Sequence, residues 1–453
     1  MDVKLKKIHF IGIGGIGMSG IAEVLLNLGY KITGSDLNLS PLVKRLQSLG
    51  ATVFQGHNEK NVYDQDLVVT STAVSSDNPE VLKAKKLKIP VVPRAQMLSE
   101  LMNMKEGIAI SGMHGKTTTT SLTAMVFEHA GLDPTAIVGG RVKGIGSNAK
   151  LGKGKYLIAE ADESDKSFLK LNPKISVVTN IDLEHMDHYR DLKDIQDTYV
   201  SFLNRVPEDG LIVACGDDAH VVEILPRLKK KYVTYGMTND CDYTVKNIKH
   251  YGTKSYFDFY HHKKKIGEIV LSIPGDHNIL NSLATIIVAL ECGIAFSEIK
   301  KSLSEFHGVE RRFQTKGEKE GILVMDDYGH HPTEISVTLK TFKDCWPERR
   351  LVVLFQPHRF TRTKDLFKEF GKAFFCADKL LVIDIYAASE KPIQGIHATK
   401  LVEEINKNSH NAEYVGDLQN ALEVLKGLVQ KNDIVLTLGA GNIYQIGEKF
   451  LDG

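Results

Sequence analysis

The chain has 453 residues, of which 42% are hydrophobic and 25% are charged, and its formal net charge is +1. This length predicts two to four domains, and the near-zero charge argues against non-specific binding to nucleic acid or to an anionic membrane surface. The five cysteines form no C-x-x-C pair, and no run of eighteen apolar residues occurs, so we expect a cytoplasmic protein without a spanning helix.

The first hundred residues alternate short apolar runs with amphipathic segments. Four runs predict strands: KIHFIGIG, KITGSD, ATVFQG and DLVVTSTAV. Helical patterns lie between the first pairs, which is typical of a parallel sheet with helical crossovers. Residues 91–107 follow as a turn-rich, amphipathic passage.

A glycine-rich turn follows the first predicted strand. Gly12, Gly14 and Gly17 form G-x-G-x-x-G, and Asp36 ends the second strand. Glycines here permit a tight turn and let backbone amides approach a pyrophosphate at a helix N-terminus. The pattern does not distinguish a dinucleotide from another nucleotide diphosphate, and a purely structural turn is the alternative.

A second α/β unit opens with strand, loop and helix in GIAISGMHGKTTTTSLTAMVFEHAG. In the loop, consecutive amides are expected to cradle phosphate, Lys116 to face the β- and γ-phosphates, and Thr117 to ligate Mg²⁺. Only two residues separate Gly112 from Gly115, whereas the standard Walker loop has four between its glycines. The flanking strand and helix favour a phosphate loop over a chance turn.

Two further strands, KYLIAEADES and KISVVTNIDLEH, end in acidic or histidine residues. Glu160 is a hard oxygen ligand suited to Mg²⁺, whereas His185 is a softer one. A histidine at a strand end is more often structural, but the neighbouring phosphate loop favours a metal ligand. Alternating residues around 232–272 then predict antiparallel strands.

GDHNILNSLATIIVALECG predicts a helix with Asn278 and Asn281 on one face. Their amides suit an adenine edge, although helix capping is an alternative for Asn278. Arg312 could offer a bidentate guanidinium to a phosphoryl group, but it could equally be a solvated surface residue.

The third unit has four predicted strands, ILVMDDYGHHPTE, RLVVLFQPHR, KLLVIDIY and DIVLTLGAGN, each ending in a polar or glycine-rich cluster. In open α/β sheets, ligands collect at such carboxyl ends. Asp327 could accept hydrogen bonds from a ribose, and Arg359 with Arg362 could hold a carboxylate. Adjacent histidines at 330 and 331 lack the Cys/His set of a zinc site.

Eight of these motifs together resemble the Mur ligases, over the whole chain and in the family's order: GIGGIGMSG, GMHGKTTTT, EADESD, GDHNILNSLA, ERRF, DDYGHHPTE, PHRFTR and GAGN. The resemblance implies an α/β protein of three domains. These are a Rossmann-like UDP-sugar-binding domain (1–104), a P-loop-type central ATPase domain (105–311) and a Rossmann-like C-terminal domain (312–453) that binds the amino acid.

The resemblance to the alanine-adding branch implies an activity in peptidoglycan precursor synthesis. ATP would activate the carboxylate of UDP-N-acetylmuramate as an acyl phosphate, which the amine of L-alanine would then attack, giving ADP and phosphate. Mg²⁺ is the implied cofactor, and positioning and charge neutralisation would supply most of the catalysis. We expect a monomer or a weak homo-oligomer.

The resemblance also assigns residues to four groups. The UDP-sugar would meet Gly12, Gly14, Gly15, Ile16, Gly17, Ser35, Asp36, Ser71 and Arg94. ATP would meet Gly112, Met113, His114, Gly115, Lys116, Thr117, Thr118, His277, Asn278, Asn281, Arg312 and Asp327. The metal ligands would be Thr117, Glu160 and His185. The catalytic group would be Lys116, His185, Arg312, His330, Arg359 and Arg362, with Tyr328 near the alanine.

One departure and four rival interpretations accompany this resemblance. Most Mur ligases carry a carbamylated lysine on the helix after the metal histidine, and DIQDTYVSF has no lysine, as in the alanine-adding branch.

A nicotinamide-dependent dehydrogenase leaves the Gly-Lys-Thr loop unexplained, and a P-loop kinase or motor ATPase does not fit its short spacing. A folate-polyglutamate or peptide-recycling ligase would share the central domain, but the GIGGIGMSG opening resembles the alanine branch. A non-enzymatic binding module would need no phosphate loop with metal ligands.

Overall fold

The computed structural model describes residues 6–140, 148–238, 240–388, 390–408 and 411–453. Its strands form three sheets of five, ten and six strands, which confirms the predicted α/β class. The chain divides into two compact units, one of residues 1–248, 256–271 and 280–306, the other of residues 249–255, 272–279 and 307–453. Within the described ranges, no helix is both long and apolar enough to cross a lipid bilayer.

The first sheet is parallel in every described pairing, with strand order β3-β2-β1-β4-β5. Its elements are β1 (Lys7–Ile11), α1 (Ile16–Asn27), β2 (Lys31–Asp36), α2 (Pro41–Ser48), β3 (Thr52–Gln55), β4 (Leu67–Thr70), α3 (Pro79–Lys86), β5 (Val91–Pro93) and α4 (Arg94–Met102). The four predicted strands are confirmed. The sequence analysis missed β5, because three residues ending in proline are too few to show a period.

The second sheet has the order β15-β14-β13-β12-β11-β10-β6-β9-β7-β8. Its strands are β6 (Glu106–Ser111), β7 (Thr135–Ile137), β8 (Ala149–Lys150), β9 (Tyr156–Glu160), β10 (Ile175–Val178), β11 (Leu211–Cys215), β12 (Tyr232–Gly236), β13 (Tyr243–Tyr251), β14 (Lys254–His261) and β15 (Lys264–Leu271). Its helices are α5 (Lys116–His129), α6 (Leu192–Leu203), α7 (Ala219–Ile224), α8 (Asp276–Glu291) and α9 (Phe296–Ser304). Since β6, β9 and β10 are adjacent and parallel, their carboxyl ends lie at one edge.

The predicted antiparallel stretch is partly right. Two residues join β13 to β14, and two join β14 to β15, so these neighbouring strands can only form antiparallel hairpins. The prediction is wrong for β12, which pairs in parallel with both β11 and β13. Alternation of polar and apolar residues reports a half-buried strand, but it does not report the direction of the partner strand.

The third sheet has the order β16-β17-β21-β18-β19-β20 and is parallel except for β16 against β17. Its strands are β16 (Gln314–Lys319), β17 (Ile322–Asp327), β18 (Leu351–Phe355), β19 (Lys379–Ile383), β20 (Ala412–Gly416) and β21 (Ile434–Leu438). Its helices are α10 (Pro332–Cys345), α11 (Phe360–Asp365), α12 (Phe367–Lys372), α13 (Ala398–Asn406), α14 (Leu418–Leu428) and α15 (Tyr444–Asp452). The four predicted strands are the central ones. The missed strands, β16 and β20, are the two edges, where polar residues are tolerated.

The first two sheets share one hydrophobic core. Met18 and Ile21 of α1 belong to the same buried cluster as Ile137 of β7 and Ala149 of β8. Asn148 donates from Nδ2 to the carbonyl of Ile16, at 2.7 Å. The start of α1, which follows the first glycine loop, is therefore fixed to the second sheet.

Candidate functional site

Two glycines shape the loop between β6 and α5, where we predict phosphate binding. Gly112 and Gly115 have φ angles of +128° and +84°, a region that favours glycine. A Cβ atom on Gly112 would lie 2.0 Å from Thr179 Oγ1. The backbone angle therefore favours glycine at both positions, and at position 112 there is also no space for a Cβ atom.

Residues that follow β10 hold this loop in place. The backbone amide of His114 donates to Asn180 Oδ1 at 2.8 Å, and the carbonyl of His114 accepts from Asn180 Nδ2 at 2.9 Å. Thr179 Oγ1 donates to the same carbonyl at 2.6 Å. The sequence analysis did not identify Asn180 or Thr179, because only the parallel pairing of β6 and β10 brings them to the loop.

Lys116, the first residue of α5, is turned back onto its own loop. Its ammonium group donates to the carbonyls of Gly112 and Met113, at 2.5 and 3.2 Å, and to Glu163 Oε1 at 2.6 Å. Burial opposes its positive charge, but the Glu163 carboxylate outweighs this effect and raises the pKa of Lys116. The lysine is therefore a partly buried side chain that keeps its positive charge.

Three carboxylates follow β9, and each has a different partner. Glu160 Oε1 accepts from the amide of Gly139 at 2.6 Å. Asp162 Oδ2 accepts from Arg94 Nη2 at 2.5 Å. Glu163 is 1% exposed, its buried Oε2 atom has no hydrogen-bond partner among the described residues, and its Oε1 atom lies 3.7 Å from His185 Nε2. The structure thus brings Lys116 and His185 together around Glu163, a residue that the sequence analysis did not single out.

These donors fit a divalent cation. Carboxylate oxygens are the ligands that Mg²⁺ prefers, and a buried carboxylate oxygen without a partner is costly unless a cation or donor satisfies it. His185, in a left-handed conformation with φ +58°, presents its imidazole to the same carboxylate. Thr117 lies beside Lys116 in the first turn of α5.

The first glycine loop is held by the strand next to it. The amides of Gly12 and Ile13 donate to the carbonyl of Ser35, and the amide of Gly14 donates to Asp36 Oδ2, each at 2.8–3.0 Å. Asp36 therefore fixes the loop. The Ser35 hydroxyl is buried and donates to Glu80 Oε2 at 2.5 Å, so its contribution to this loop comes from its backbone.

Arg94, the first residue of α4, lies against the start of α1. A Cβ atom on Gly17 would lie 2.5 Å from Arg94 Nη1, so a larger residue at this position would displace the guanidinium from its present place. Gly15 and Ile16 are both exposed residues of the loop. Ser71 follows β4, and its carbonyl accepts from the amide of Val74. The loop thus leads into the N-terminus of α1 with a cation, Arg94, beside it, and both features favour a pyrophosphate site.

The two helical asparagines occupy different environments. Asn281 is buried, its Oδ1 atom accepts from Thr119 Oγ1 at 3.2 Å, and this atom would lie 2.5 Å from a Cβ atom on Gly115. Asn281 therefore supports the phosphate loop. Asn278 donates from Nδ2 to the carbonyl of Pro274 at 2.7 Å, a local contact at the start of α8. The roles of both asparagines toward adenine stay predictions, as does that of His277. Burial lowers the pKa of His277 to about 4.

In the second unit, Asp327 and Arg312 lie near Tyr328. Asp327 accepts backbone amides of Phe313 and Gly329 on its two oxygens, both at 2.7 Å, and burial raises its pKa to about 6. The Arg312 guanidinium lies 5.3 Å from the centre of the Tyr328 ring, and its Nη1 atom lies 3.5 Å from Glu334 Oε1. A ribose contact of Asp327 would use its remaining lone pairs.

The cluster after β18 combines two arginines with two histidines. Arg359 has φ +71° and precedes α11, while Arg362 Nη1 lies 3.4 Å from His358 Nδ1. The rings of His330 and His358 are 5.9 Å apart. Burial, and then His330 and the arginines, lower the pKa of His358 to about 4, so this imidazole is neutral at pH 7. The sequence analysis gave His358 no role, although its motif was noted.

Next to this cluster is a cavity of about 440 Å³ at the carboxyl ends of the strands. Tyr386, which stacks on His358 with ring centres 5.5 Å apart, lines it together with Gln356, Asp384 and Asn442. Its size suits a small molecule, and its lining offers hydrogen-bonding groups of several kinds.

Comparisons with known proteins agree with this architecture. Residues 7–106, 110–289 and 311–441 match three family models, described as the Mur ligase family catalytic domain, the Mur ligase middle domain and the Mur ligase glutamate ligase domain. The three matches confirm the predicted three-domain organisation, while the exact domain boundaries stay predictions.

Relatives and solved structures cover nearly the whole chain. The chain is 56% identical over 450 residues to UDP-N-acetylmuramate–L-alanine ligase of Geobacter sulfurreducens, covering 99% of this chain and 97% of the relative. It is 55% identical to the enzyme of that name from Trichlorobacter lovleyi, covering 98% of both. UDP-N-acetylmuramate-alanine ligase from Thermotoga maritima superposes with a TM-score of 0.85 at 30% identity, covering 98% of each chain. This chain belongs to the Mur ligase family.

Proposed function

We propose that the protein joins L-alanine to the carboxylate of UDP-N-acetylmuramate in an ATP-dependent reaction of peptidoglycan precursor synthesis. The observation that carries this proposal is the 56% identity, over 99% of the chain, to a relative named for that reaction. The geometry is consistent with it, because a phosphate loop, a glycine-rich pyrophosphate loop and an arginine cluster are all present. Cell-wall assembly, and with it cell shape and division, would depend on the product.

In the first step, the muramyl carboxylate would attack the γ-phosphate of ATP, forming an acyl phosphate and releasing ADP. Phosphoryl transfer needs positioning and charge neutralisation more than covalent help from the protein. Lys116, at the N-terminus of α5, would neutralise the transferring phosphoryl group, and the loop amides would bind its oxygens.

In the second step, the alanine amine would attack the acyl carbonyl and inorganic phosphate would leave. Arg359 and Arg362 would hold the alanine carboxylate, with His330 and Tyr328 near the reacting groups. The neutral His358 supports this assignment, because it adds a hydrogen-bonding group beside Arg362 without adding charge.

We further propose that Thr117, Glu160 and His185 bind Mg²⁺, which supplies charge neutralisation at the phosphates when bound. Replacing Glu160 by Gln, or His185 by Ala, should raise the Mg²⁺ concentration needed for half-maximal phosphate release. Glu106→Gln is the matched control, since Glu106 is exposed at the start of β6. An unchanged metal titration for a variant would remove that residue from the site.

The activity itself is tested by phosphate release in the presence of ATP, Mg²⁺ and UDP-N-acetylmuramate. L-alanine, L-serine, glycine and the tripeptide L-alanyl-γ-D-glutamyl-meso-diaminopimelate are supplied one at a time. We expect the highest kcat/KM for L-alanine, with discrimination against serine and glycine of about 10- to 200-fold, the range typical of small pockets. Turnover with the tripeptide alone would instead assign a peptide-recycling ligase.

We propose that the reaction takes place in the cytoplasm. All five cysteines are free thiols, as is usual for proteins of a reducing compartment. The protein would act as a monomer or a weak homo-oligomer.

A further inference from the structure

Every hydrogen-bond donor of Lys116 is already used in this structure. An ammonium group has three N–H donors. Here they go to the carbonyl of Gly112, the carbonyl of Met113 and Glu163 Oε1. A phosphate that binds Lys116 must therefore displace one of these acceptors.

Glu163 is the acceptor whose displacement has the largest consequence. It is 1% exposed, and within the part of the chain that the structure describes its second oxygen, Oε2, is buried without a hydrogen-bond partner. A buried carboxylate that loses its cation carries an uncompensated charge, which is strongly unfavourable. A nucleotide that takes Lys116 away from Glu163 brings only negative charge, so it would leave this carboxylate with His185, whose Nε2 atom lies 3.7 Å from Oε1, as its one described cationic neighbour.

A divalent cation that arrives with the nucleotide removes this penalty. Oε1 of Glu163 lies 3.7 Å from His185 Nε2, so the carboxylate faces the group of residues to which we assign Mg²⁺. Carboxylate oxygens are favoured Mg²⁺ ligands. Exchange of partners would keep both charges compensated, with Lys116 on the phosphate and Glu163 on the cation.

We propose that Glu163 is a positioning residue that holds Lys116 away from phosphate until Mg²⁺ and ATP bind together. The Lys116–Glu163 ion pair thus makes nucleotide binding depend on the metal. The inference rests on the proposed function, because it assumes that the Gly112–Thr117 loop binds ATP.

The test is calorimetric binding of ATP to the full-length protein, with Mg²⁺ or with EDTA, and it needs no turnover. In Glu163→Gln the lysine loses its charged partner, so the Kd for ATP in EDTA should fall about tenfold or more, the value of one charge-assisted hydrogen bond. The ratio of the Kd in EDTA to the Kd in Mg²⁺ should fall by a similar factor. A purely structural role would instead weaken ATP binding in both conditions.

Asp165→Asn is the matched control for charge alone. Asp165 lies two residues further along the same loop and accepts the amide of Ser167 at 2.9 Å. If both variants tighten ATP binding in EDTA equally, the effect is general electrostatics and the proposal is overturned. An unchanged Kd and an unchanged Mg²⁺ ratio in Glu163→Gln overturn it as well.

A thermal melt shows whether Glu163→Gln is folded, and a second variant tests the proposal if it is not. Glu163→Asp keeps the negative charge, but its side chain is one methylene shorter, so the carboxylate lies farther from Lys116. ATP binding in EDTA should again tighten relative to the wild type. Failure of the wild-type protein to bind ATP even with Mg²⁺ would refute the proposed function, whereas wild-type binding with unaltered variants refutes only the role of Glu163.

Discussion

At the scale of single residues, Lys116 carries the largest expected effect. Its side chain is charged and partly buried beside the phosphate loop. In Lys116→Ala we expect phosphate release to fall by a factor of about 100 or more, as for removal of one preorganised donor at a developing negative charge. Continuous phosphate release at saturating substrates measures this.

The control for Lys116 is Lys155→Ala. Lys155 is an exposed lysine of the same unit, paired with Glu106 at 3.2 Å, and its loss should leave the rate within about twofold. A thermal melt establishes that both variants are folded. A folded Lys116→Ala protein with near-normal turnover would contradict the assignment.

Residue identity at this site could be predicted only in part. Lys116, Glu160 and His185 were identified because each follows a predicted strand or opens a helix. Glu163 and Asn180 were not, because a carboxylate or an amide three or fewer residues past a strand has no distinctive pattern. Their contacts exist only because β9 and β10 flank β6 in the folded sheet.

At the scale of elements, the β6–α5 turn depends on Gly112. In Gly112→Ala the new Cβ atom would meet Thr179 Oγ1 at 2.0 Å, in addition to the strain of φ +128°. We expect loss of measurable ATP binding in calorimetry and a lower melting temperature. Gly131→Ala is the matched control, since Gly131 also has positive φ, at +72°, but no atom within 4 Å of a new Cβ.

In Gly131→Ala the free energy of unfolding should fall by about 1–2 kcal/mol, the cost of an alanine in the left-handed conformation. ATP binding should be retained. Equal loss of ATP binding in both variants would show that the effect is general destabilisation rather than a change in the loop.

Glu80 joins α3 to β1 and β2 through a buried polar network. Its carboxylate is 0% exposed and accepts from Ser35 Oγ at 2.5 Å and Asn61 Nδ2 at 2.6 Å, with His9 Nε2 at 3.6 Å and His57 Nδ1 at 3.4 Å. Burial alone would raise its pKa, but these partners outweigh burial and lower the pKa of Glu80 to about 2.

This network predicts an acid-dependent loss of stability. A folded pKa below the unfolded value means that the stabilisation is present at neutral pH and is lost as pH falls from about 4.5 toward about 2. Glu80→Gln should lower the melting temperature at pH 7 and flatten its decline below pH 5. The control is Glu59→Gln, at an exposed site nearby. A decline as steep as in the wild type would exclude Glu80 as its cause.

At the scale of the whole molecule, the choice between a UDP-sugar and a nicotinamide dinucleotide depends on what surrounds the first glycine loop. Loop amides of this kind would bind phosphate oxygens of either ligand. Among the described residues, the first sheet has five strands, without the second mononucleotide half of a six-stranded dinucleotide fold. Asp36 also holds the amide of Gly14, at 2.8 Å.

We therefore expect the full-length protein to bind UDP-N-acetylmuramate measurably in calorimetry and NADH hardly at all. The full chain is the right sample, because α1 shares a hydrophobic core with β7 and β8, which an isolated first domain would expose. Arg94→Ala should weaken UDP-sugar binding, since this guanidinium lies against Gly17. Tight NADH binding without a response to the UDP-sugar would contradict the ligase assignment.

The sequence by itself determined the α/β class, most of the strands and the Gly112–Thr117 phosphate loop. These follow from local rules, because hydrophobic period, strand–loop–helix order and glycine at positive φ are properties of short segments. Only the tertiary structure decided that Glu163 holds Lys116, that Asn180 supports the phosphate loop, and that Ser35 contributes its backbone while its hydroxyl is buried on Glu80. Those contacts join segments that are distant in sequence, and strand order alone brings them together.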